Sequence, residues 1–202
     1  TTGKLYSVKP TNGDGDMVVT RNTTATRVNS AGLIESVAIN VPRINYPPLG
    51  GCPSILVEPM RTNFFLRSEE FNLTWFTNSA NLTTNTTLAP NGNVTADKLV
   101  ATAVPLTHYV AQIAVGSVSG TIATASVFVK AEELSNIQLF NNATGDGIAD
   151  FILLGTGTAN RVTGVSASIE AYPLGWYRCS MTFTPTTTGS FNIQIRLADS
   201  LG

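Results

Sequence analysis

Hydrophobic and polar residues alternate with a period of two over much of the second half of the chain. In the stretch SFNIQIRLAD, residues 190–199, Phe191, Ile193, Ile195 and Leu197 share one face and polar side chains occupy the other. Because successive side chains of a β-strand point to opposite faces, this period predicts a sheet with one packed and one hydrated face. Further segments suited to strands are residues 95–102, 108–115, 124–130, 136–141, 149–155, 165–172 and 176–184.

These segments predict the fold class. About eight short strands, separated by connections rich in Asn, Gly, Thr and Pro and without helical periodicity, are typical of an antiparallel β-sandwich. We therefore expect an all-β fold in which residues 61–202 form a jelly-roll-like sandwich.

The first part of the chain, residues 1–60, is less regular. Residues 17–21 and 54–59 have the composition of short strands, and the second of these is apolar enough to be buried. The segment YPPLGGCP, residues 46–53, concentrates Pro and Gly, which interrupt regular structure. This part therefore predicts an extended, β-rich N-terminal arm with short strands.

Composition and charge exclude two classes of partner. The chain is 43% hydrophobic but only 12% charged, and its formal net charge is −1. Without a basic excess to neutralise phosphates, we expect no nucleic-acid partner. Because no apolar run approaches the roughly 20 residues of a membrane helix, we expect no membrane span either.

Cysteine and acidic residues give little indication of a cofactor. Cys52 and Cys179 are far apart and fit no paired motif, so we expect no disulfide. In NGDGD, residues 12–16, Asp14 and Asp16 occupy the third and fifth places of an EF-hand-like loop, but the glycine and glutamate required further on are missing. The motif is a turn or a loose structural calcium site, and no other cofactor is expected.

Aromatic residues carry the case for ligand binding, since exposed rings pack against the apolar faces of sugars. In the strand predicted at residues 176–184, Tyr177 falls on the apolar face with Cys179, whereas Trp176 and Arg178 fall on the polar face. We therefore assign Trp176 and Arg178 as the candidate ligand-binding residues, with the alternative that Trp176 caps the end of the sandwich. The aromatic candidates considered, each of which could instead be core, are Trp75, Phe76, Tyr109, Tyr172, Trp176 and Tyr177.

Carboxylates do not form a recognisable catalytic motif. Glycoside hydrolysis needs two acids about 5–10 Å apart across a cleft. The adjacent pairs Glu69-Glu70 and Glu132-Glu133 lie in polar connections, where exposure to solvent is the simpler interpretation. We therefore assign no catalytic residues and expect a protein that is not an enzyme.

Several segments resemble those of one family, in the same order along the chain. They are VTRNTTATRVNSAGLIESVAINVPRINY (19–46), SILVEPMRTN (54–63), SEEFNLTW (68–75), APNGNVTADKL (89–99), SVFVKAE (126–132), GWYRCSMTFT (175–184) and IRLAD (195–199). Together they are similar to structural proteins of tailed-bacteriophage virions, of the tail-fibre and head-fibre type. Those proteins carry a β-sandwich like that of carbohydrate-binding modules.

The resemblance implies a location and partners. We expect a virion protein that is assembled in the cytoplasm of the bacterial host, contacts other virion proteins as a homo-oligomer and touches host-surface polysaccharide. The first alternative is a purely structural capsid or tail decoration protein docked through its N-terminal arm, and the second is a polysaccharide depolymerase. Relatives often continue with a further strand, so we also expect the protein to extend beyond Gly202.

Overall fold

A computed structural model of the protein describes residues 4–5, 17–142 and 147–199. All strand pairings among these residues are antiparallel and none of the residues is α-helical, so the all-β prediction is confirmed. The chain divides into two compact units. The first comprises Thr1–Arg61 with Pro90–Gly92, and the second comprises Thr62–Ala89 with Asn93–Gly202.

The described residues of the first unit form three two-stranded sheets. They pair β1 (Lys4–Leu5) with β2 (Met17–Val18), β3 (Ala25–Val28) with β4 (Ile34–Val37), and β5 (Ile44–Asn45) with β6 (Ser54–Ile55). The β3–β4 turn forms because the Asn29 side chain accepts hydrogen bonds from the amides of Ala31 and Leu33, at 2.9 and 3.1 Å. The expectation of a buried strand at residues 54–59 is wrong, because β6 has two residues and Val57 beyond it is 81% exposed.

The part of the second unit that the structure describes contains eleven strands. They are β7 (Phe76–Asn78), β8 (Ala80–Leu88), β9 (Val94–Ala101), β10 (Tyr109–Ser117), β11 (Ala123–Lys130), β12 (Asn136–Asn141), β13 (Gly147–Ile152), β14 (Thr158–Thr163), β15 (Ser166–Ala171), β16 (Trp176–Phe183) and β17 (Gly189–Ala198).

Two sheets of this unit form a β-sandwich. The six-stranded sheet has the order β14-β13-β12-β17-β10-β7, and the three-stranded sheet has the order β11-β16-β15. The remaining strands, β8 and β9, form a separate hairpin. The last strand, β17, is central, since β12 and β10 pair with it on either side.

The two sheets share one hydrophobic core, which the alternation of the sequence supplies. The buried residues are Val110, Ala114, Ala125, Ile137, Leu139, Ala149, Phe151, Leu153, Tyr177, Cys179, Met181, Phe183, Phe191, Ile193 and Ile195. Tyr177 and Cys179 therefore lie where the sequence predicted. Cys179 is a buried free thiol, and Cys52 is an exposed one. The jelly-roll connectivity and the extended arm stay predictions.

Candidate functional site

Trp176 and Arg178, the predicted ligand-binding residues, differ in exposure. Trp176 is only 7% exposed, and its indole N–H donates a hydrogen bond to the Leu88 carbonyl oxygen at 3.0 Å. The expectation that this ring meets solvent is therefore wrong, because β8 covers it; the geometry fits the alternative of a cap on the sandwich. Arg178 is exposed between Phe128 and Glu170 of the adjacent strands, and its ligand role stays a prediction.

The structure separates the other aromatic candidates into two groups. Trp75 and Tyr177 belong to the packed interior, and Tyr172 is buried. Phe76 is 42% exposed, Tyr109 is partly exposed, and their ring centroids lie 6.3 Å apart in an edge-to-face arrangement. These two rings remain available to a ligand on the second unit.

The metal candidates Asp14 and Asp16 lie outside the described residues, so a calcium site at that loop stays a prediction. Among the residues that the structure does describe, no group of three or more His, Cys, Asp or Glu side chains is arranged to hold a metal ion.

A row of polar side chains crosses the outer face of the six-stranded sheet. Strand register aligns one residue from each of five adjacent strands, and we call this set the polar row: Asp150, Gln138, Arg196, Tyr109 and Asn78. The core-facing residues have the opposite parity, so the polar row points away from the core. Cross-strand neighbours of this kind are close enough to interact.

Hydrogen bonds hold the polar row in place. The Gln138 amide donates to an Asp150 carboxylate oxygen at 2.8 Å, and its oxygen accepts a bond from the Arg196 guanidinium at 2.8 Å. Arg196 also donates to the side-chain oxygen of Gln194 at 2.7 Å. Its guanidinium carbon lies 3.7 Å from the centre of the Phe140 ring, a cation–π contact. The row is thus ordered before any ligand arrives.

A second row of aligned residues lies beside the polar row on the same sheet face. The register aligns Ile148, Phe140, Gln194, Ala111 and Phe76. Ala111 is a small side chain between the larger Gln194 and Phe76, and it is fully buried. The Phe76–Tyr109 pair links β7 and β10 across the two rows, with Phe76 the more exposed ring.

The chemistry of this face suits recognition of a polyhydroxylated ring. The half-buried amide of Gln138 and guanidinium of Arg196 supply donors and acceptors that match hydroxyls, whereas the Asp150 carboxylate is fully buried. Flat aromatic rings supply an apolar surface for C–H groups. The polar row and the Phe76–Tyr109 pair place both kinds of group on one sheet face.

Gln138, Asp150 and Arg196 are site residues that the sequence interpretation did not select. The signal was present in the alternation, since Gln138 lies between the core residues Ile137 and Leu139, and Arg196 follows the core residue Ile195. Alternation alone gives the face of each residue. It does not give the order of the strands, which sets which polar residues become neighbours.

Comparison with known proteins adds no relative: no protein-family model matches the chain, and no curated protein sequence matches it. No helix among the described residues is long and apolar enough to cross a membrane.

Proposed function

We propose that the chain is a non-enzymatic virion appendage protein of a tailed bacteriophage whose β-sandwich contacts host-surface glycans. The virion location rests on the order of resembling segments along the sequence. The glycan contact rests on one observation, the Phe76–Tyr109 ring pair beside the hydrogen-bonded side chains of Asp150, Gln138 and Arg196.

Binding at such a face is weak for each copy. Asp150 and Ala111 are fully buried and Gln194 is nearly so, so few hydroxyls of a glycan would be exchanged for protein partners and the glycan would remain partly solvated. Many copies on one particle convert weak contacts into strong attachment through a high effective concentration. This is the physical reason to expect the protein as a homo-oligomer among other virion proteins.

The charges of the polar row and its neighbouring row support the proposal of binding without cleavage. Glycoside hydrolysis needs an acid and a second carboxylate on opposite sides of the scissile bond. Asp150 is the single carboxylate in the polar row and its neighbouring row, and it is fully buried. A glycan on the ten described residues of these two rows would therefore meet no pair of exposed acids.

Glycan binding by the assembled particle, compared between variants, tests this proposal. We expect Phe76→Ala combined with Tyr109→Ala to weaken binding of host-surface polysaccharide at least about tenfold, or about 1.4 kcal/mol per site. Ile122→Ala, at a 68% exposed residue just before β11 of the three-stranded sheet, is the control and should leave binding unchanged. Equal binding by the double variant and the wild type, with both folded, would refute the site.

A second candidate function is structural decoration of the capsid or tail. It is favoured by the apolar surface of residues 17–60, where Val18, Val57 and Met60 are 80%, 81% and 98% exposed. Exposed apolar side chains of this kind mark contact surfaces for other proteins. Locating the chain in a reconstruction of the particle distinguishes the two: a six-stranded sheet covered by neighbours would favour decoration over glycan contact.

A further inference from the structure

A groove separate from the sheet face lies in the second unit, between the segment 63–73 and the β8–β9 hairpin. Its volume is ≈ 910 Å³, and all of its lining residues except Phe65 and Asp97 are exposed, so it is an open groove and not an enclosed cavity. We propose that this groove is a second saccharide-binding site, for a neutral oligosaccharide. It shares its ligand class with the proposed function but none of its residues.

The first wall of the groove is held by a buried polar side chain. Gln112 of β10 is only 4% exposed. Its amide oxygen accepts a hydrogen bond from the Leu66 amide at 2.8 Å, and its NH₂ group donates to the Leu66 carbonyl and to the Thr74 hydroxyl at 2.8 and 2.7 Å. Trp75 adds a bond from its indole N–H to the Arg67 carbonyl at 3.1 Å. The wall therefore keeps one shape without regular secondary structure.

The opposite wall is a bulge in the β8–β9 hairpin. Thr83 pairs with Lys98 and Thr87 with Ala96, so three residues of β8 face the single residue Asp97 of β9. At the centre of the bulge, Asn85 has a left-handed backbone with a φ of 55°. The Asn85 amide donates to Asp97 Oδ1 at 3.0 Å, which fixes the bulge. Bulges often lie next to functional sites, where they redirect side chains.

Among the described residues, two of the five non-glycine residues with left-handed backbones and one of the three buried side-chain atoms without a hydrogen-bond partner lie at this groove. Arg67 and Asn85, one on each wall, both have left-handed backbones although neither is glycine. Asp97 Oδ2 is buried and has no hydrogen-bond partner among the described residues. Left-handed non-glycine residues cost about 1–3 kcal/mol each and cluster where a ligand is held, and an unsatisfied buried oxygen calls for a similar explanation.

The lining identifies the class of ligand. Uncharged hydrogen-bonding side chains line the groove at Asn63, Ser68, Asn72, Asn85, Thr84 and Thr95. Leu66 and Leu73 add exposed apolar surface, at 67% and 55%. The charged lining consists of Arg67, which pairs with Glu70 at 2.8 Å, together with Glu69 and Asp97. An excess of carboxylates repels anions, and amides beside apolar carbons fit neutral sugar rings.

An NMR titration with saccharides tests this proposal, because the amide chemical shifts report binding at the groove and at the sheet face separately. The probes are neutral oligosaccharides of four to six glucose, galactose or N-acetylglucosamine units. We expect saturable shifts at the groove amides of Asn72, Thr84 and Thr95 with at least one probe. Asn72→Ala with Leu73→Ala should weaken that binding about tenfold. The double variant Val104→Ala with Leu106→Ala, also exposed in the second unit, should not.

The outcomes separate this inference from the proposed function. Shifts at the sheet face alone would overturn the groove site and leave the proposed function standing. Shifts at the groove alone would support the groove site and count against the sheet face. Groove shifts that survive Asn72→Ala with Leu73→Ala at full affinity would overturn the inference, as would an absence of groove shifts with every probe.

Discussion

Cys179 lies at the middle of β16 with its thiol enclosed in the core of the sandwich. It has no exposed surface, and burial raises the pKa of the thiol to about 12. The cause is the loss of solvation for the thiolate, since an apolar interior stabilises the neutral form. Cys52 is exposed, so it is accessible to thiol reagents in the folded protein, whereas Cys179 is not.

This burial predicts a pH dependence of stability. The thiol of the unfolded chain titrates near pH 8.5, whereas the folded thiol keeps its proton up to about pH 12. Stability is therefore fully present below about pH 8.5 and falls as the pH rises, because only the unfolded state loses the proton. We expect Cys179 to remove about 2 kcal/mol of unfolding free energy between pH 8 and pH 10.5.

Urea denaturation at the two pH values measures this loss, and Cys179→Ala should lack it. Thiol titration is a second check: in the native protein at pH 8, Cys52 should react and Cys179 should not. A Cys52→Ser variant that still reacts rapidly when folded would contradict the assignment.

At the scale of residues, the alternation of the sequence correctly predicts which side chains are buried within strands, but it fails at the ends of strands. The period of two placed Tyr177 and Cys179 in the core, and the structure agrees. The same rule placed Trp176 in solvent, which is wrong. Trp176 is the first residue of β16, directly after the 3-10 turn Pro173–Gly175. Its surroundings come from β8, which is distant in sequence, so no local pattern could reveal them.

At the scale of elements, the turn between β13 and β14 depends on the absence of a side chain at one position. Gly157 has a φ of +82°, and a Cβ built there would lie 2.7 Å from Ile169 Cδ1 and 3.0 Å from Tyr177 Cδ1. Gly155, two residues earlier, has a φ of +60° with nothing within 4 Å of its Cβ position. Alanine substitutions at these two glycines therefore distinguish the cost of a steric clash from the cost of backbone strain.

We expect Gly157→Ala to destabilise the protein by about 3 kcal/mol, from about 1–2 kcal/mol of left-handed strain plus overpacking against β15 and β16. Gly155→Ala carries the strain alone and should cost about 1–2 kcal/mol. Thermal and chemical denaturation of both variants measure the difference. Equal losses would mean that Ile169 moves aside freely and that the turn is not tightly packed.

Whether a strand could be predicted depended on its apolar content. Strands β10, β12, β16 and β17 alternate apolar and polar residues, and each was predicted within a few positions. Strand β8, ANLTTNTTL, was not predicted because it is mostly Thr and Asn and its bulge breaks the period of two. Because β8 was not predicted, the groove could not be predicted either, since the β8 bulge forms one wall of the groove.

At the scale of the whole molecule, apolar burial is very unequal between the two units. The shared core of the sandwich lies entirely in the second unit. In the first unit, among the residues that the structure describes, Val28 and Val37 are the buried hydrophobic residues. Because burial of apolar surface is the main favourable term in folding, the first unit has little to oppose its conformational entropy.

This inequality predicts a gradient of hydrogen exchange along the chain. Amides of β12, β16 and β17, which pair on both sides or line the core, should exchange only through global unfolding. Amides of the β3–β4 and β5–β6 hairpins should exchange by local opening, at least about a hundredfold faster, since each extra 1.4 kcal/mol of opening free energy slows exchange tenfold.

Exchange measured by mass spectrometry on peptic fragments resolves the two regions, with Val28→Ala as a local probe. That variant should speed exchange in residues 17–60 and leave the β-sandwich unchanged. Protection of the hairpins equal to that of β17 would contradict the gradient. If the hairpins gain protection when the protein is incorporated into a particle, the exposed side chains of Val57 and Met60 have found a partner, and structural decoration becomes the better account of this part of the chain.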